Sequence, residues 1–330
     1  MMDFRKVVEI PVYSMTLSYT QRILSLGSCF ADHIGNKLMN GKFQIQSNPF
    51  GVLYNPASIL NSIRLLEKES YIHDADLIES QGMWASFSFH SAHSSDSKEK
   101  AVASMNATIA SSSAFLKETD VMLITFGTAW VYEWEESGEI VSNCHKLPAK
   151  LFKRRRLSVD EIVSEWSVML ERYFAGRENR NVIFTVSPIR HWKDGAFENQ
   201  CSKATLILAI DELCKKFDSC HYFPSYEIFM DELRDYRFYA EDMIHPSSVG
   251  VEYVWERFSQ SLFSKETKTD YAEWLKLKKM LDHRPLNGMT DNYRKFLREN
   301  LRRIEVFQQK RPYFDLNFET QSIKELCNTL

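Results

Sequence analysis

Short apolar runs alternate with amphipathic stretches along most of the chain. Ile23-Leu24-Ser25-Leu26 reads as a buried strand, Gly27 and Ser28 break it, and residues 29–39 carry a helical pattern. Residues 43–47 alternate as a second strand and end in the turn cluster Asn48-Pro49-Phe50-Gly51. Asn55-Pro56 opens a helix to about residue 68, with Pro56 suited to the first helical position. Residues 84–90 alternate as a strand with one aromatic face, and 98–117 read as a helix. Residues 121–126 are almost continuously apolar, as expected of a central parallel strand covered on both faces. Residues 131–134 and 140–142 flank Ser137-Gly138, which predicts a hairpin. Ser158-Val159-Asp160-Glu161 is a capping box opening a helix to about residue 174. A further buried strand at 182–186, a helix at 196–217, a weaker strand at 220–224 and a helix from Pro246 to about residue 263 complete the pattern.

Strands alternating with helices at this rhythm predict an α/β fold, a mostly parallel sheet with helices on both faces. Past residue 264 the character changes to charged amphipathic helices at 270–281 and 291–309, joined by residues 283–288. We expect an α/β domain over 1–264 and a helical C-terminal extension over 265–330 packed on it. The 330 residues are ample for a large core. A net charge of −3 argues against nucleic acid or an anionic membrane as the main partner. No apolar run approaches the ~18 residues of a spanning helix, and residues 1–20 lack a signal-peptide core. Six cysteines without a C-x-x-C pair fit reduced thiols, so a cytoplasmic protein is expected. The nine histidines show no metal-ligand spacing, and no metal or cofactor is expected.

Candidate chemistry begins at Ser28. A strand running straight into a helix leaves its turn residue at the carboxyl edge of a parallel sheet, where ligands collect. A hydroxyl there, beside a helix N-terminus, suits a nucleophile, although serine is also an ordinary N-cap. The second signal is Asp242-Met243-Ile244-His245-Pro246. With two residues between them in a turn, the carboxylate can hold one imidazole nitrogen and leave the other as general base. Cys29 points about 100° away from Ser28 on a helix and is expected to pack as a small apolar group. Cys144 beside His145 is a poor thiol pair, because catalytic Cys and His usually converge from separate elements. The run Lys153-Arg154-Arg155-Arg156 reads as a solvated basic face before a helix, and Trp84, Phe87 and Phe89 as core.

Gly27-Ser28-Cys29-Phe30-Ala31 resembles the signature of the GSCFA family, a branch of the SGNH, or GDSL-like, hydrolases. The resemblance implies a three-layer α/β/α fold with a flavodoxin-like sheet and a Ser28-His245-Asp242 triad hydrolysing an O-acyl ester. We expect the carrier of that ester to be a small molecule or a carbohydrate. It implies a backbone oxyanion donor at Gly51. Where the SGNH pattern has Gly-x-Asn, this chain has Gly127-Thr128-Ala129-Trp130, so the third donor is open. Asn143, at the far end of the expected hairpin and followed by His145, is the first candidate, with Thr128 and Asn48 next. The resemblance extends through Ser187-Pro188-Ile189-Arg190-His191, Asn199 and Ser202-Lys203 to His283-Arg284-Pro285-Leu286. Two other readings stand beside the esterase: an O-acyltransferase, and a non-catalytic carbohydrate-binding or scaffold protein kept open by Ala129.

Overall fold

The computed structural model describes residues 6–283 and 290–328. Strands β1 (Arg22–Gly27), β2 (Gln44–Ser47), β5 (Val121–Phe126), β9 (Asn181–Val186) and β10 (Cys220–Tyr222) form one parallel sheet in the order β2-β1-β5-β9-β10. Counted within the sheet, this is the 2-1-3-4-5 order of flavodoxin-like folds. The chain leaves β1 for the edge strand β2 and then crosses back to β5. The switch point therefore lies between the carboxyl ends of β1 and β5.

Alternation along the central strands divides the core into two layers. Leu24, Leu26, Met122, Ile124, Phe126, Val182, Phe184 and Val186 face helices α2 (Pro56–Lys68), α3 (Lys98–Lys117), α4 (Val159–Phe174) and α5 (Gly195–Lys216). Ile23, Val121, Leu123 and Ile183 face α1 (Cys29–Asn40) and α7 (Ser248–Leu262). Ser158 and Glu161 form the expected capping box of α4, and Asn55 caps α2 with Pro56 in its first turn.

Small antiparallel elements decorate the carboxyl edge. Strands β3 (Leu77–Ser80) and β4 (Met83–Ser86) pair, and β6 (Trp130–Trp134) pairs with both β7 (Ile140–Val141) and β8 (Phe152–Arg156). Two expectations are corrected. The aromatic strand expected over 84–90 stops at Ser86, because the chain turns there and His90 caps a short 3₁₀ turn. The basic run 153–156 is strand β8 rather than a solvated lead-in, its guanidinium groups paired across the fold. Arg155 meets Glu133 at 2.5 Å and Glu161 at 2.7 Å, Arg156 meets Glu198 at 3.0 Å, and Arg154 pairs with Asp194.

After β10, the one-turn helix α6 (Ser225–Glu227) runs into a π-turn (Ile228–Glu232) that leads to the loop before α7. Helices α8 (Lys265–Leu281), α9 (Asp291–Lys310) and α10 (Asn317–Asn328) make up a helical C-terminal region. Of the expected connection 283–288, only His283 falls within the described residues. This region closes over the C-terminal end of α1. Trp274 is buried and donates to Asn40 O at 2.8 Å, Lys42 pairs with Glu319 at 2.7 Å, and Tyr19 packs between Phe43 and Phe314. Leu17 joins segments far apart in the sequence. Its N–H donates to Leu262 O at 2.7 Å, and its carbonyl accepts from Thr267 Oγ1 at 3.0 Å. Among the described residues no helix is long and apolar enough to cross a membrane.

Candidate active site

Ser28 stands at the switch point. It is the N-cap of α1, its Oγ accepting from Phe30 N–H at 3.3 Å, and it is only 2% exposed. The strand ends approach closely here. A Cβ on Gly27, whose φ is +147°, would lie 2.2 Å from Thr125 O, so only glycine lets β1 run this near β5 before the serine. The Ser28 N–H itself makes a long bond to Thr125 O at 3.3 Å.

Loop 48–54 ties the two strand ends together. Asn48 Oδ1 accepts from Gly27 N–H at 2.8 Å and its Nδ2 donates to Asp32 Oδ1 at 2.5 Å. The Tyr54 carbonyl accepts from both Gly127 and Thr128 N–H, at 2.8 and 2.9 Å. Asn48 is thus built into the turn. The Gly51 N–H expected to serve an oxyanion donates to Asn48 O at 2.8 Å, closing the same turn.

Thr128 and Asn143 also make local bonds. Thr128 Oγ1 lies 3.1 Å from Ser202 Oγ and accepts from Trp130 N–H. Ala129 is fully buried in the apolar layer beneath. Asn143 Oδ1 accepts from His145 N–H at 2.9 Å, so the hairpin return is closed as an ordinary turn. His145 is buried, with Nε2 2.8 Å from Ser86 O, and burial holds its pKa below the usual imidazole range. It ties the loop to β4 rather than facing Ser28.

Asp242 and His245 do meet. His245 Nδ1 lies 2.5 Å from Asp242 Oδ2, while Asp242 Oδ1 accepts from the N–H groups of Ile244 and His245, both at 2.9 Å. Those backbone donors, and then the imidazole, pull the carboxyl down to about 2. The pair is half-exposed, and no hydrogen bond joins His245 to Ser28 among the described residues. His245 is close enough for its charge to be felt by His33 on α1 and by His191 after β9.

Residues on α5 organise this edge in a way that sequence reasoning did not assign to the site. Asn199 Oδ1 accepts from His191 N–H at 2.9 Å and Ser202 Oγ from Ala129 N–H at 2.8 Å. Lys203, fully buried, donates to Gly127 O at 2.6 Å and Ser187 O at 2.7 Å. Burial, with Arg190 adding to it, lowers the Lys203 pKa to about 7. The signal was present: 199, 202 and 203 extend the core stripe Leu206, Ala209, Ile210 and Leu213 backward at helical spacing, yet are polar. Polar groups on a core-facing stripe need buried partners, and here the partners are the strand ends of the site.

A cavity of about 1160 Å³ lies to one side, between α2, α4 and the β6–β8 sheet, with Phe87 and Trp134 in its wall. It contains neither Ser28 nor His245. Phe89 packs on Phe50 in the core, and Lys98 covers the Trp84 ring at 4.0 Å. Cys29 Sγ approaches Tyr54 OH at 3.6 Å. Among the described residues no group of three metal-ligating side chains converges.

A family model described as GSCFA family matches residues 22–258, from the first residue of β1 into α7. The chain belongs to the GSCFA family. A second model, GSCFA domain protein, C-terminal domain, matches residues 274–329, so the GSCFA assignment extends over the helices that close on α1. No curated protein sequence matches the chain. Within the GSCFA match fall Ser28, the loop 48–54, the α5 cluster and the Asp242–His245 pair.

Proposed function

We propose that this GSCFA protein is a serine esterase acting on an O-acyl ester through Ser28, His245 and Asp242. The observation that carries the reading is the Asp242–His245 pair, bonded through Nδ1 in the loop before α7, in a fold that sets a serine at the β1–β5 switch point. His245 Nε2 has no hydrogen-bond partner among the described residues, as a base awaiting substrate requires. Hydrogen bonds of this kind are often long or unmade without substrate.

In the proposed cycle His245 Nε2 takes the Ser28 hydroxyl proton as Oγ bonds to the ester carbonyl carbon. The carbonyl π pair moves onto oxygen, and Asp242 stabilises the imidazolium. Collapse of the oxyanion breaks the bond to the leaving alcohol, which takes the proton from His245. Water repeats the sequence on the acyl-serine and frees Ser28. The substrate is an O-acyl ester of a small molecule or carbohydrate. The six cysteines all carry free thiols, which fits a reducing, cytoplasmic setting.

One observation favours the non-catalytic alternative: Ser28 is nearly sealed, and its hydroxyl already serves as a helix cap. Fluorophosphonate labelling located by peptide mass separates the two. Labelling at Ser28, lost in Ser28→Ala, supports the esterase. Labelling elsewhere, or none, removes it.

A further inference from the structure

An acyl-transfer oxyanion needs two or three donors, and the edge around Ser28 is short of them. Gly51 N–H and the Thr128 hydroxyl are bonded within their own turns, Asn143 accepts from His145 N–H at the hairpin return, and Ala129 stands where the amide is expected. His191 offers a further donor at this edge. Its backbone is fixed by Asn199 at 2.9 Å, and its ring meets Tyr54 edge-on, 5.7 Å between centroids. A Cβ added to Gly127 would sit 3.2 Å from Ser28 Cβ and 3.6 Å from His191 Nε2. The serine and the imidazole therefore face the same side of one glycine, a side they share with the Tyr54 carbonyl, whose oxygen would lie 3.0 Å from that Cβ. Neither ring nitrogen of His191 has a hydrogen-bond partner among the described residues.

We propose that His191 donates a hydrogen bond through Nε2–H to the oxyanion formed when Ser28 attacks the substrate, standing in for the absent asparagine. The proposal rests on the esterase reading. His191 suits a neutral donor rather than a base. Burial first, then the positive charges of Lys203, Arg154 and His245, lower its pKa to about 4, against Asp194 alone in the other direction. A neutral imidazole keeps its proton and offers it as a donor without releasing it, whereas His245 alone has a carboxylate against its ring. Lys203 fixes the geometry, since it holds the Gly127 carbonyl on the far side of the same glycine.

The test uses the full chain, p-nitrophenyl acetate as substrate and a fluorophosphonate as label. His191→Ala is expected to lower kcat about 10²-fold while moving KM by less than about threefold, because the bond forms mainly in the transition state. His191→Gln, whose amide nitrogen reaches the Nε2 position, should recover about tenfold, and His191→Asn, which reaches only the Nδ1 position, should not. Equal kinetics for the Gln and Asn variants overturn the proposal even if the Ala variant fails to fold. Full activity in His191→Ala, or a change confined to KM, overturns it too. If the unmodified protein labels at Ser28 while His191→Ala labels equally fast, this inference alone falls. If the unmodified protein neither labels nor hydrolyses, the esterase reading falls and takes this one with it.

Discussion

Replacing Lys203 by methionine should change how stability responds to pH. Lys203 is fully buried, has two backbone carbonyls and no carboxylate as partners, and its pKa falls from 10.5 to about 7 in the folded protein. Between those values the unfolded chain binds more protons than the folded one, so stability rises with pH across that window. The slope approaches about 1.4 kcal/mol per pH unit, and integrating from pH 7 to pH 9 gives about 2 kcal/mol gained by the unmodified protein. Methionine fills similar volume and does not titrate. The difference in unfolding free energy between the two proteins should therefore shift by about 2 kcal/mol over this range, favouring the unmodified protein as pH rises. Groups that Lys203 does not influence cancel in that difference, and His191, whose pKa its charge helps lower to about 4, stays neutral in the folded protein over this range. At any single pH the balance is closer, because losing the ammonium strands the carbonyls of Gly127 and Ser187, at about 1–3 kcal/mol each, while relieving its desolvation. Urea unfolding of both proteins at pH 7, 8 and 9 measures the effect, and parallel stability curves would refute the reasoning.

Ser28→Ala should lose the α1 cap as well as the proposed nucleophile, lowering stability by about 1 kcal/mol; an unchanged melting temperature would mean the Phe30 contact contributes nothing. Gly27→Ala should destabilise by more than about 3 kcal/mol, since the new methyl meets Thr125 O at 2.2 Å with φ at +147°. A urea midpoint equal to that of the parent would show that β1 can move away from β5. Asp242→Asn should lower kcat on p-nitrophenyl acetate by about 10²-fold through loss of the partner that stabilises the imidazolium. Because Asp242 is lowered to about 2, its ionised form persists above that value and is lost only as pH falls through it. An acid limb of kcat/KM near pH 4 that vanishes in Asp242→Asn would contradict the pairing.

The central strands were legible because their apolar runs are continuous, and the caps at Asn55, Ser158 and Ser28 because each side chain bonds only a few residues ahead. The pairing of Asp242 with His245 was readable for the same reason, a local turn. What was hidden depends on distant partners. Strand β8 reads as a charge run until Glu133, Asp194 and Glu198 neutralise it from three other elements. The engagement of Gly51 N–H follows from the turn Asn48-Pro49-Phe50-Gly51 itself, whose closing bond to Asn48 O takes up the donor that the resemblance assigns to the oxyanion. The α5 cluster was visible as residues and invisible as a site, because its partners are carbonyls, which every sequence position carries alike.

The tie between Leu17 and Thr267 has a consequence for the order in which the molecule is made. The partners are 250 residues apart, and Trp274 seals Asn40 across 234. During synthesis α1 emerges early with an apolar flank, and α7 and α8, which pack against it, are translated only after the whole sheet. The strand bearing Ser28 can pair with β2 and β5 long before that flank is closed. Until then the nascent chain carries the serine turn on a sheet whose second layer holds α1 without α7. Chains released short of α7 would keep that surface open, exposed to aggregation and to proteolysis.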